Sequence, residues 1–164
     1  MTWTVPNIFT AGTALPAAEL NKVRDSLKAI GDPWTSYTPT WTAATTNPTL
    51  GNGTLSGAWM SAGQSVMFRV TLTFGSTTTV GSGAYSFTLP TAPKVYPMVF
   101  AGGAVLTSAA TSFPIWGVCR SGVALELVAD PTTAGSSWRN VTAAIPTGWV
   151  TGNSISIVGN YEAA

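Results

Sequence analysis

Glu126 and Asp130, in the stretch LELVADP, are the carboxylates closest together in the β-patterned part of this chain. A glycosidase places two such groups about 5–10 Å apart around a cleft, one to protonate the leaving oxygen and one to act as base or nucleophile. Four residues of extended chain separate the two, which is roughly 13 Å. The pair could therefore work only if the chain folded back between them, and Asp130 before Pro131 is also an ordinary turn residue at a strand end. Other catalytic arrangements fall away by composition. The chain has no histidine, so Ser-His-Asp and Cys-His sets and every histidine-containing zinc or iron site are excluded. The single cysteine, Cys119, excludes thiolate clusters and an internal disulfide framework, and reads as a small packed thiol. GNGTLSG and GSGAYS lack the lysine of a phosphate loop and read as hairpin loops leading into β pattern. No catalytic residue, metal or cofactor is expected.

Aromatic contact is the other chemistry on offer. Seven tryptophans, Trp3, Trp34, Trp41, Trp59, Trp116, Trp138 and Trp149, are many for this length. Rings on an uncharged β surface stack on sugars or anchor protein contacts. The ordinary fate of such rings is core or subunit interface, expected here for Trp41 and Trp59 and for Trp116 in a strand between Ile115 and Val118. Trp138, beside Arg139 in TTAGSSWRN, is the best candidate for an exposed contact, with the cation over its own or a neighbouring ring. Trp138, Arg139, Trp149 and Tyr161 together make the candidate ligand or receptor surface.

The elements that must carry these residues show in the periodicity. In SVMFRVTLTF (65–74), Val66, Phe68, Val70, Leu72 and Phe74 alternate with Met67, Arg69, Thr71 and Thr73, the pattern of a strand with one buried face. The alternation returns in 84–89, 123–128 and 154–161, with turn-rich stretches of Gly, Pro, Asn and Thr between. These features predict a mainly β chain whose residues 34–164 form an antiparallel β-sandwich, jelly-roll-like knob. Charged residues make up 8% of the sequence, against about 25% in ordinary soluble domains. The knob surface must be built of Thr, Ser, Asn and Gly or be covered by partners. A net charge of +1, with three of seven basic residues in one early segment, leaves no electrostatic footprint for nucleic acid or an anionic membrane. The apolar region 95–106 is too short, and too broken by Pro97 and Gly102-Gly103, to span a bilayer. The start of the sequence has no basic and apolar export signal.

One segment departs from all this. AELNKVRDSLKAIGDP (18–33) holds six of the charged residues, Glu19, Lys22, Arg24, Asp25, Lys28 and Asp32. Leu20, Val23, Leu27 and Ile30 recur at spacings of three, four and three, one stripe of a helix. Pro16 suits its first turn, Glu19 the positive end of its dipole, and Gly31 with Pro33 its stop. A lone helix of this length is marginal in water, so the stripe must dock. As a coiled-coil seam it has Leu at a and β-branched residues at d, a choice that favours more than two strands. Alternatively it covers its own β domain or a neighbouring protein. The preceding MTWTVPNIFTAG, with Trp3, Val5, Ile8 and Phe9, reads as an anchoring arm, which with the helix makes an N-terminal unit over 1–33.

Taken in order, the helix type AxxLNxxRDxL, YTPTWT leading to GNGTLSGxW, GSGAYSFTLP and the closing GNYEA resemble small fibre, minor tail and head-decoration proteins of tailed bacteriophages, particularly of the actinobacteriophage type. The resemblance covers almost the whole chain and carries no catalytic signature. It implies an N-terminal segment seated on the virion and a projecting β knob, commonly a homotrimer, at the virion surface after assembly in the host cytoplasm. Only Gly31 to Pro39 separates helix from knob, too little for a long shaft, which favours a compact capsid-decoration or head-spike protein. The implied partners are further copies of the chain and the major capsid or tail proteins, with host-surface glycan as a possible ligand of the minor tail or tail-fibre alternative.

Overall fold

The computed structural model describes residues 12, 14, 16–31, 34–106, 111–130 and 137–164; the side chains of 26, 29–31, 105 and 106 are outside that set. The predicted helix is present as α1 (Ala17–Gly31). It is followed by β1 (Thr35–Tyr37), β2 (Trp41–Ala43), β3 (Thr54–Ala62), β4 (Ser65–Thr73) and β5 (Tyr85–Thr88). Then come β6 (Met98–Leu106), β7 (Thr111–Cys119), β8 (Ala124–Ala129), β9 (Arg139–Asn140) and β10 (Ser154–Glu162). The fold is mainly β, one short helix ahead of an antiparallel, sandwich-like β body.

The described strands form one continuous sheet in the order β1-β3-β4-β10-β6-β7-β8-β5-β2, with β9 on β8. Its two edge strands, β1 and β2, are joined by residues 38–40 alone, and four steps of extended chain reach at most about 14 Å. The edges must therefore stand side by side, so the sheet curls back upon itself. Tyr37 Oη of β1 crosses the seam to donate to Thr88 O at 3.3 Å, and Thr88 in turn extends the β2–β5 ladder, its Oγ1 accepting from Thr40 N at 2.8 Å and its N donating to Thr40 O at 3.2 Å. Curling removes most of the exposed edge, the part of a sheet that would otherwise template aggregation.

Alternation puts one face of every long strand inside. Val66, Phe68, Val70 and Leu72 of β4 share a core with Ile155, Ile157 and Tyr161 of β10, Phe100 of β6, Ile115 and Cys119 of β7, Leu125 and Leu127 of β8, and Tyr85 and Phe87 of β5. Aromatic rings gather at the two ends of β4, roughly 20 Å apart along the strand. Phe68, Phe100 and Tyr161 meet edge to face at 5.0 to 5.9 Å. At the other end Trp41 lies edge-on to Phe74 and Tyr85 at 5.6 and 5.4 Å, and Trp149 stacks on Phe74 at 4.8 Å.

Small residues fix how closely the strands approach. Gly57 lies opposite Tyr37, and an added Cβ would stand 2.5 Å from that ring. At Gly102 of β6 it would stand 2.3 Å from both Ile157 Cδ1 and the Ser156 carbonyl. The β3–β4 hairpin turns through Gly63 at φ 63, the left-handed region glycine enters without steric cost. GNGTLSG and GSGAYS are not hairpin loops: each belongs to a longer connection, β2 to β3 and β4 to β5, and these two connections pair with each other. Thr46 bridges Ser82 and Thr49 bridges Thr79. Asn52 binds them further, its Oδ1 accepting from Thr77 N and Oγ1 at 2.9 and 3.0 Å and its Nδ2 donating to Ser76 Oγ at 2.9 Å.

Candidate functional site

The helix presents its stripe differently from a simple docked helix. Leu20 and Leu27 are 51% and 64% exposed, Val23 is half-buried, and the Ile30 side chain is outside the described set. Glu19, in the first turn as the dipole favours, is buried and accepts from Lys22 Nζ at 2.7 Å. Arg24 pairs with its neighbour Asp25 at 2.8 Å. Of the described strands, α1 lies against β3. The two leucines thus leave more than half of their surface in solvent among the described residues. The arm residues Trp3, Val5, Ile8 and Phe9 lie outside the described residues.

The proposed contact residues do not form one surface. Tyr161 must be withdrawn: alternation along β10 turns it inward, it is buried against Phe68 and Phe100, and its hydroxyl donates to Thr91 O at 2.8 Å. Trp149 is half-buried, stacked on Phe74 with its Nε1 donating to Thr142 O at 2.7 Å, so its face and its donor are both engaged. Trp138 remains, 48% exposed, with Arg139 exposed beside it. Its ring packs on Trp116 at 4.5 Å, on the outer face of β7. No described cation lies over Trp138; the cation–π contact is elsewhere, between Arg69 and Trp34.

Glu126 points outward from β8, where its Oε2 accepts from Arg120 Nε at 2.9 Å, and Asp130 follows the strand, exposed. Among the described residues no group of three or more Cys, Asp or Glu is placed to hold a metal ion.

A surface that sequence reasoning missed lies on the outer face of β4 and β10. Arg69 stands opposite Val158, and Met67 opposite Asn160. The Arg69 guanidinium carbon sits 5.1 Å from the centroid of the Trp34 ring. Trp34, Met67, Arg69, Val158 and Asn160, with the backbone of Phe68 and Gly159 beneath, line an open cleft of about 520 Å³. Trp34, Met67 and Val158 are 40%, 42% and 52% exposed, an apolar cluster on a strand face that should be polar. The available signal was Met67 and Arg69 on the outward register of β4; only the pairing to β10 and the return of Trp34 over β4 make them a site.

Fold and surface together define a mainly β body, closed on its own seam, with one helix appended and its leucines outward. No protein-family model matches the chain, and neither a curated protein nor a solved structure matches it.

Proposed function

We propose that this chain is a structural virion protein of a tailed bacteriophage, a short homotrimeric capsid-decoration or head-spike protein anchored by its N-terminal segment, with the β body as the projecting knob. The observation that carries the reading is the outward strip of Leu20 and Leu27 on the one helix, which lies ahead of the β body. Burying the remaining surface of each half-exposed leucine contributes about 1–2 kcal/mol, and a trimeric seam of these helices, or a groove on the virion, buries both. The segment resemblance to phage head and tail proteins supplies the setting, with the major capsid protein or tail proteins as docking partners.

Light scattering during gel filtration of the full chain tests this. The expected mass is that of three chains, and Leu20→Ser/Leu27→Ser should lower it without changing the far-UV circular dichroism of the β body. A trimer untouched by that double substitution would place the assembly contacts in the knob and leave the helix to dock on the virion. A monomer for the parent chain would remove the trimeric reading.

A second reading, a minor tail or tail-fibre protein whose knob contacts host-surface carbohydrate, is favoured by Trp138, whose ring is held on Trp116 with much of its surface in solvent.

A further inference from the structure

The unusual feature of the β4–β10 cleft is its cation. On the β body, Arg120 is taken by Glu126 and Lys94 by Glu162, which leaves Arg69 and Arg139 without a carboxylate among the described residues. Arg69 has no carboxylate and no hydrogen-bond acceptor among the described residues; it rests on Trp34. A guanidinium over an indole face is drawn to it by the ring quadrupole and keeps N–H donors free for a ligand. The planar guanidinium fork matches a carboxylate in two parallel hydrogen bonds. The Asn160 side chain, two residues along β10 from the Arg69 partner Val158, also has no hydrogen-bond partner among the described residues. The cleft therefore joins an aromatic and aliphatic floor, an anion-binding fork and a neutral amide in a volume suited to a small ligand.

We propose that the cleft of Trp34, Arg69 and Asn160 binds a carboxylate-bearing saccharide unit, a hexuronate of an acidic polysaccharide. The carboxylate meets the Arg69 fork, the C–H face of the pyranose lies on the exposed part of Trp34 and on Val158, and a ring hydroxyl bonds Asn160. A second copy's helix is a poorer occupant, because Arg24 lies on the strip between Leu20 and Leu27 and would bring a cation to a cation. An acidic protein segment supplies the carboxylate but leaves the neutral amide and ring-sized floor without a purpose. The proposal rests on the carbohydrate-contact reading above, names its ligand class, and moves its site from Trp138 to Trp34.

Titration calorimetry on the full chain with trigalacturonate tests it, with the trigalacturonate methyl ester and pentaglutamate as comparisons. Binding is expected for the free acid, weakened about tenfold or more by Arg69→Gln, the loss appropriate to a charge-assisted bidentate pair. Arg69→Lys should recover only part, since the charge returns without the fork. Arg69 is exposed on a strand, so these variants keep the fold, and Arg120→Gln, with the same change in net charge and outside the cleft, should bind as the parent does. Equal binding of the methyl ester overturns the anion requirement, and equal binding of pentaglutamate overturns the saccharide in favour of an acidic segment. Binding abolished by Trp138→Ala but kept in Arg69→Gln overturns the cleft and leaves the carbohydrate reading standing. No heat with any saccharide at millimolar ligand overturns both.

Discussion

The hydroxyl of Tyr85 donates to Val80 O at 2.6 Å and that of Tyr161 to Thr91 O at 2.8 Å, while Tyr37 reaches across the seam to Thr88 O. Burial pushes all three phenols above their ordinary pKa, with the nearby Tyr161 adding to the shift at Tyr37 and the Thr91 hydrogen bonds opposing it at Tyr161. A phenol raised in the folded state contributes stability that is intact below its unfolded value of about 10, and that is lost as pH climbs toward the folded-state value. The fold is therefore expected to hold its denaturation midpoint to about pH 10 and lose it steeply above. Phenolate absorbance should rise together with unfolding, and Tyr37→Phe/Tyr85→Phe should flatten the loss. Phe68, touching Phe100 and Tyr161, is costly to truncate: Phe68→Ala should lower unfolding free energy by about 3–5 kcal/mol in a guanidinium titration. Trp41 and Trp149 differ in a way their types do not show. The buried Trp41 Nε1 has no partner among the described residues, whereas Trp149 Nε1 is bonded to Thr142 O. Trp41→Phe should therefore cost less than Trp149→Phe in the same titration, since only the latter removes a hydrogen bond.

At the scale of elements, legibility in the sequence followed side-chain size. β4, β5, β8 and β10 were evident because large apolar residues alternate along them. β3 and β6, TLSGAWMSA and MVFAGGAVL, hid their alternation because Gly57 and Gly102 stand where a neighbouring ring or strand comes too close for a side chain. The same closeness makes a prediction. Gly102→Ala should destabilise by about 1–3 kcal/mol through overpacking, because one of the atoms it meets is backbone and cannot rotate away. Gly103→Ala is the control: its Cβ meets only Phe113 O, at 3.5 Å, and the denaturation midpoint should hardly move. The helix was legible as a helix, yet not in its rotation: the spacing gave the stripe, while the inward turn of Glu19 depends on packing that no local pattern records. Likewise Tyr161 in GNYEA looked available as a polar aromatic, and the strand register alone put it in the core.

For the whole molecule, the sequence disclosed class but not connection. Which strand lies beside which is set by contacts between residues far apart in the chain, Val66 with Tyr161 and Tyr37 with Thr88 among them. Nothing local encodes these, and the cleft of Trp34, Arg69 and Asn160 exists only because of them. A body dominated by such non-local pairing should fold in milliseconds to seconds rather than microseconds, which stopped-flow refolding monitored by tryptophan fluorescence would measure. The position of β10 sharpens this. It is the last of the described strands in sequence and central in the sheet, bonded to β4 on one side and to β6 on the other. During synthesis, every strand through β9 can leave the ribosome while β4 and β6 still offer two bare edges. The last nine-residue strand acts as a zip fastener, and until it is drawn a nascent chain is open to pairing with its neighbours on the same message.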